Sequence, residues 1–200
     1  MPPKREEELE ILTTPEVVVR SAHLKTPNLD AATRFPSVGK DGKNSNVKYD
    51  LEIFLDPVEN PEHAKFIAEI QDIEKTVQVM YPESKVLTKL KSASKLKDGF
   101  KGEKPTKDDF ESHPTKKVLM LRTKNIVKVF ENGHEVGGDS KLLDRGTKVT
   151  VELGVRPYQM TTENGKVAGL AALPLKVTVV SRPERNSSFS KFRAARKEKG

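Results

Sequence analysis

Cysteine is absent from all 200 residues, and with it go disulfides, thiolate catalysis and any zinc site built on sulfur. Such a chain is compatible with a reducing cytoplasm. No apolar run approaches the ~18 residues of a membrane span, and the opening MPPKREEELE has nothing of a signal peptide, so a soluble, cytoplasmic protein is expected. Walker loops, dinucleotide fingerprints and GxSxG elbows are missing too. His23, His63, His113 and His134 are scattered without metal-ligand spacing. Asp108, Asp109, Glu111 and His113 could hold a divalent ion for nuclease chemistry, but between lysine runs they read better as an offset to local charge. No catalytic residue, metal or cofactor is expected.

Charge is unevenly placed. Lys85 to Lys107 holds eight lysines against Asp98 and Glu103, and Ser181 to Gly200 holds seven Lys or Arg against Glu184 and Glu198. These segments carry +6 and +5, so the rest of the chain carries −4 of the total of +7. Basicity confined to two segments points to polyanions, most simply nucleic acid, although solvated charge runs are common.

Thr147 to Val180 reads as a long β-hairpin. Val149, Val151, Leu153 and Val155 share one face, and Thr150, Glu152, Gly154, Arg156 and Tyr158 the other. Asn164-Gly165 is expected to form a type I′ turn, which places Pro174 opposite Val155 and a bulge there. Long, bent, glycine-bearing strands suit a small barrel; an antiparallel sandwich with the same hairpin is the alternative.

Around the hairpin the chain divides into an N-terminal arm (1–14), a folded domain (15–182) and a basic tail (183–200). Pro15 to Leu24 is a first strand, 25–46 a long loop, and Val47 to Asp56 a strand with Tyr49 on its core side. Asn60-Pro61 opens a helix whose stripe is Phe66, Ile67, Ile70, Ile73, Val77 and Met80. Residues 84–114 show little periodicity and read as a basic loop, and Val118 to Arg122 and Ile126 to Phe130 as two short strands. The fold class is thus mainly β, an OB-fold barrel of five strands, closed or partly open, with one amphipathic helix and long basic loops.

Unpaired nucleic acid is held by cations that follow its phosphates and by rings on which bases stack. Arg156 and Tyr158 are neighbours on the polar face of the hairpin, and Arg20, Lys48, Arg122, Lys124 and Lys128 add cations on other strands. Lys95, Lys97, Lys101 and Lys104 surround Phe100 in the basic loop. Phe54 lies on the polar face of its strand, where it could stack a base but is better covered by the following helix. For each cation a solvated surface charge is the plain alternative, and Phe100 and Tyr158 have structural alternatives as a loop anchor and a bend-stabilising core residue.

PEVVVRSAHL, VKYDLEIFLD, a KDG-containing loop, KKVLMLRTKN leading to VKVFENG, and GTKVTVELGVRPYQ with GKVAGLAALPLKVTVV follow one another in an order that resembles the single-stranded DNA-binding proteins of tailed bacteriophages. The resemblance covers most of 15–182. It implies an OB-fold that coats single-stranded DNA during phage replication, recombination and repair, with polymerase or helicase among its partners, a homodimer left open, and the host cytoplasm as its location. It also implies that the ligand crosses the barrel face beside Arg156, Tyr158 and the Lys95 to Lys104 segment. The basic ending FRAARKEKG departs from the acidic tail of several such proteins and is expected to add phosphate contacts. An RNA-binding or ribosome-associated protein and a structural DNA-neutralising phage protein are the alternatives, with a metal-dependent nuclease last.

Overall fold

The structure is a computed structural model that describes residues 9–28, 48–92 and 115–183. Within them ten strands follow in chain order: β1 (Glu10–Thr13), β2 (Val17–Asn28), β3 (Lys48–Leu55), β4 (Lys85–Leu87), β5 (Leu90–Ser92), β6 (Lys117–Thr123), β7 (Lys128–Glu131), β8 (His134–Val136), β9 (Lys148–Thr162) and β10 (Gly165–Ser181). A single long helix, α1 (Pro61–Met80), lies between β3 and β4.

One sheet runs β5-β6-β3-β2-β9-β10-β7-β8, with β1 added along β9 and β4 along β10. Its central path, β6-β3-β2-β9-β10, curls until β10 approaches β6 again without a hydrogen-bonded ladder between them. The result is a five-stranded, partly open barrel, the expected OB-like arrangement. Short strands bridge the gap: β4 pairs in parallel with β10 at Val167–Gly169, and β5 pairs antiparallel with β6 at Lys117–Leu119.

Alternation sorts the strands as expected. Leu51, Ile53 and Leu55 of β3, Leu119 and Leu121 of β6, and Val149, Val151, Leu153 and Val155 of β9 enter one core, against which Tyr49 packs. Asn60 caps α1 by accepting the Glu62 N–H at 2.9 Å, and Pro61 fills the first position, where its missing N–H costs nothing. Phe66, Ile67, Ile70 and Val77 are buried. Met80 departs from the expected stripe and is 51% exposed, because the helix ends there and Tyr81 packs on the core in its place.

The hairpin differs in its turn. Thr162 pairs with Gly165, so the two-residue loop is Glu163-Asn164, and of these positions only Gly165 takes a positive φ, 112°. Moving the loop by one residue moves each partner as far as Pro174 by two: Pro174 faces Leu153 rather than Val155, and the bulge follows at Leu175. An even displacement keeps each side chain on its original face. The type I′ geometry occurs instead between β7 and β8, where Asn132 and Gly133 have φ of 52° and 80°.

Two stretches read as irregular contain strands. Glu10–Thr13, within the N-terminal arm, pairs with β9 and buries Leu12. The first residues of the basic loop form β4 and β5, which bury Leu90 and lay Val86 against the core.

Candidate nucleic-acid interface

Each strand that sends apolar residues inward sends its other residues to the outer face of the barrel. On β3 that set is Lys48, Asp50, Glu52 and Phe54, and on β6 it includes Arg122, which lies opposite Asp50. Lys124 follows β6 directly. Leu90 pairs with Leu119 in the core, so Lys91 beside it faces out, opposite Val118.

These cations feel one another. Burial, then the charges of Arg122 and Lys124, hold the Lys48 ammonium below the usual lysine range. For Lys89, burial followed by Arg122, Lys91 and Lys48 lowers the pKa to about 8, with the Glu74 carboxylate pulling the other way. Glu74, buried in α1, is itself raised by burial, against the opposing effects of the Lys89 N–H, which donates to it at 2.5 Å, and of the Lys89 charge. Lys48, Lys89, Lys91, Arg122 and Lys124 therefore form one region of positive potential along β3, β5 and β6. Such a region attracts a polyanion, and the second- and third-strand face of an OB barrel is where oligonucleotides bind.

The acids of this face are already engaged. Glu52 is ion-paired with Arg20. Asp50 binds His23 Nδ1 at 2.8 Å and accepts from Asn28 at 2.9 Å, which ties the end of β2 to β3. Arg20, expected to meet phosphate, thus spends charge on a buried neighbour. Phe54 is only 8% exposed, and the Lys116 ammonium and the Arg145 guanidinium each lie 5.7 Å from its ring centroid.

Lys128 sits elsewhere, exposed on β7 opposite Lys176, whose ammonium lies 4.7 Å from the Phe130 ring. Arg156 and Tyr158 lie on β9 beyond the barrel, with Arg156 exposed and Tyr158 half-buried. Opposite Tyr158 on β10 is Gly169, and a Cβ built there would come within 2.7 Å of the phenol oxygen, so the ring lies flat over the glycine. Lys95, Lys97, Phe100, Lys101, Lys104 and the Asp108 to His113 group fall outside the described residues.

Lys89 and Lys91 were not among the residues expected to bind. The available signal was the alternation Val86, Leu90 inward against Lys85, Leu87, Lys89, Lys91 outward, broken at Thr88 and hidden within a lysine-rich run. Among the described residues no three His, Asp or Glu side chains converge on a metal site, and no helix is long and apolar enough to cross a membrane.

No protein-family model and no curated protein matches the chain. Solved structures do. The single-stranded DNA-binding protein gp2.5 of bacteriophage T7 superposes with a TM-score of 0.58 at 12% identity, covering 94% of both chains. A C-terminally truncated single-stranded DNA-binding protein of bacteriophage Enc34 gives 0.55 at 17% identity over 87% of each chain. The Enc34 protein in complex with single-stranded DNA gives 0.52 at 19% identity, over 88% of this chain and 89% of that one. This chain is thus similar in fold, along most of its length, to the single-stranded DNA-binding proteins of bacteriophages T7 and Enc34.

Proposed function

We propose that this chain is a non-catalytic single-stranded DNA-binding protein that coats and protects unpaired DNA in phage replication, recombination and repair, with little sequence preference. The observation that carries this reading is the convergence of Lys48, Lys89, Lys91, Arg122 and Lys124 on the outer face of β3, β5 and β6, where the neighbouring charges add to burial in lowering the Lys48 and Lys89 pKa values. Cations so crowded raise one another's energy, and a line of phosphates relieves it while releasing counterions. The likeness in fold to proteins that bind single-stranded DNA supports the same ligand. Arg156 and Tyr158 would extend the interface along the hairpin, and the Lys95 to Lys104 segment and basic tail would meet further phosphates. Replication proteins such as a polymerase or helicase are the expected partners.

Fluorescence anisotropy with matched single-stranded DNA, duplex DNA and RNA at several salt concentrations tests the proposal. Single-stranded DNA should bind tightest, with a strong salt dependence. Equal affinity for duplex would overturn it, and a strong RNA preference would favour an RNA-binding role.

A further inference from the structure

β9 has an edge that the sheet leaves open. On the side away from β10 it pairs with β2 at Lys148 and Val149 and with β1 from Glu152 to Val155. From Arg156 to Thr162 it pairs only with β10 among the described residues. A run of backbone donors and acceptors left open over this length is a template for a further strand.

The register of β1 identifies the strand nearest to hand. Ile11 faces Gly154 and Glu10 faces Val155, so each earlier residue of the chain steps one place further along β9 if the pairing continues. Leu9 then meets Arg156, Glu8 meets Pro157, Glu7 meets Tyr158 and Arg5 meets Met160. Leu9 already lies over the hairpin, since a Cβ built at Gly154 would come within 3.0 Å of its Cδ1. Leu12 is buried in the core, so alternation assigns Leu9, Glu7 and Arg5 to the opposite face, the one that carries Arg156 and Tyr158. In this register the charges also match: Glu6, Glu7 and Glu8 fall beside Arg156, and Lys4 and Arg5 fall toward Glu163 in the turn.

We infer that residues 4–8 extend β1 along the open edge of β9, with Glu7 over Arg156 and Tyr158, and that single-stranded DNA must lift this arm to reach those two side chains. The occupant of the edge is thus the chain's own N-terminal segment. The inference rests on the reading above in which Arg156 and Tyr158 extend the DNA interface, and adds to it an internal competitor. One position makes the arm displaceable. Thr14 donates its N–H to the Val151 carbonyl at 2.9 Å, so the odd-numbered residues of β9 turn their backbone groups toward β1. Pro157 is among these and has no N–H, so the ladder loses a bond opposite Glu8. Past Leu9 the arm relies largely on charge, and a line of phosphates displaces it by taking over Arg156.

The chain has no cysteine, so an introduced disulfide reports this pairing without interference. Arg5→Cys with Met160→Cys sets two thiols opposite each other in a non-hydrogen-bonded pair, about 4.5 Å between Cα atoms, and spares Glu7, Arg156 and Tyr158. Mild oxidation should bridge this pair within one chain roughly tenfold faster than Arg5→Cys with Thr161→Cys, whose thiol faces the other side of the hairpin. The bridged protein should bind oligo(dT) roughly tenfold more weakly than the same variant after reduction, because closure withholds Tyr158 and Arg156. Equal bridging rates for the two pairs would overturn the register. Bridges between two chains in place of those within one would overturn the assignment of the edge to the chain's own arm. Equal affinity before and after reduction would overturn the competition and leave the proposed function standing. Failure of the reduced protein to bind oligo(dT) would remove the proposed function and with it the competition, while the pairing of the arm would stand on the bridging rates.

Discussion

The backbone N–H of Lys89 donates to the Glu74 carboxylate at 2.5 Å, which fixes a lysine of the β4–β5 segment to the middle of α1. Burial, and then the charges of Arg122, Lys91 and Lys48, lower the pKa of that lysine's side chain to about 8. A lysine depressed in the folded state binds fewer protons there than in the unfolded chain at pH between about 8 and 10.5. It therefore destabilises the fold fully below pH 8, and the penalty is relieved as pH rises through that window. Lys89→Met, which keeps the backbone hydrogen bond, should raise stability at pH 7 by on the order of 1 kcal/mol. In denaturation at a series of pH values, the advantage should vanish near pH 10.

Affinity should show the opposite trend. Phosphate beside Lys89 favours its charged form, so oligo(dT) binding should weaken from pH 7 to 9 and be accompanied by proton uptake near pH 8. Calorimetry in two buffers of different ionisation enthalpy would measure the uptake. Equal apparent enthalpies in both buffers would show that no phosphate comes close to this lysine.

Arg122→Ala and Lys124→Ala should each weaken single-stranded DNA binding and lower the slope of log affinity against log salt by about 0.7 for each phosphate no longer neutralised. Lys128→Ala, on a strand removed from this cluster, should change neither as much. Anisotropy across a salt series separates the three.

Arg20→Met should cost mainly stability. Glu52 is buried and ion-paired with Arg20, and removing the guanidinium leaves a carboxylate without that partner in the sheet, at about 1–3 kcal/mol. Urea denaturation should show the decrease, and Glu52→Gln in the Arg20→Met background should recover part of it. A variant of unchanged stability would show that the pair is not structural.

His63 offers a control remote from the cationic face. Its Nε2 donates to the Glu16 carbonyl at 2.7 Å and its Nδ1 accepts the Asp56 N–H at 2.9 Å, which joins α1 to the strand ends beside it. His63→Ala leaves both backbone groups without these bonds and should cost about 1–3 kcal/mol with DNA affinity unchanged.

The features legible from sequence were those in which one local rule dominates. The alternation of β3 and β9 placed their core residues correctly, and Asn60-Pro61 gave the start of α1, because pleat and cap geometry act over a few residues. The hairpin register was off by two because Asn-Gly admits more than one loop, and the arrangement adopted places only Gly165 at positive φ. β4 and β5 were not legible because three-residue strands contain too little alternation to register and are held by β10 and β6, 25 or more residues away along the chain. For the same reason Lys89 and Lys91 were not separated from the other lysines of their run. Phe54 is buried, as expected, and the Lys116 and Arg145 cations over its ring were not legible because their positions depend on the tertiary fold.

The barrel is fastened along β6 and β10 by two three-residue strands instead of a continuous ladder, and Lys89 lies between those strands. A polyanion laid along this clasp would brace it from outside, making the same short segment both handle and latch. The amides of β4 and β5 should then be the ones whose hydrogen exchange slows most when the protein is loaded, with the remainder of the barrel changing less.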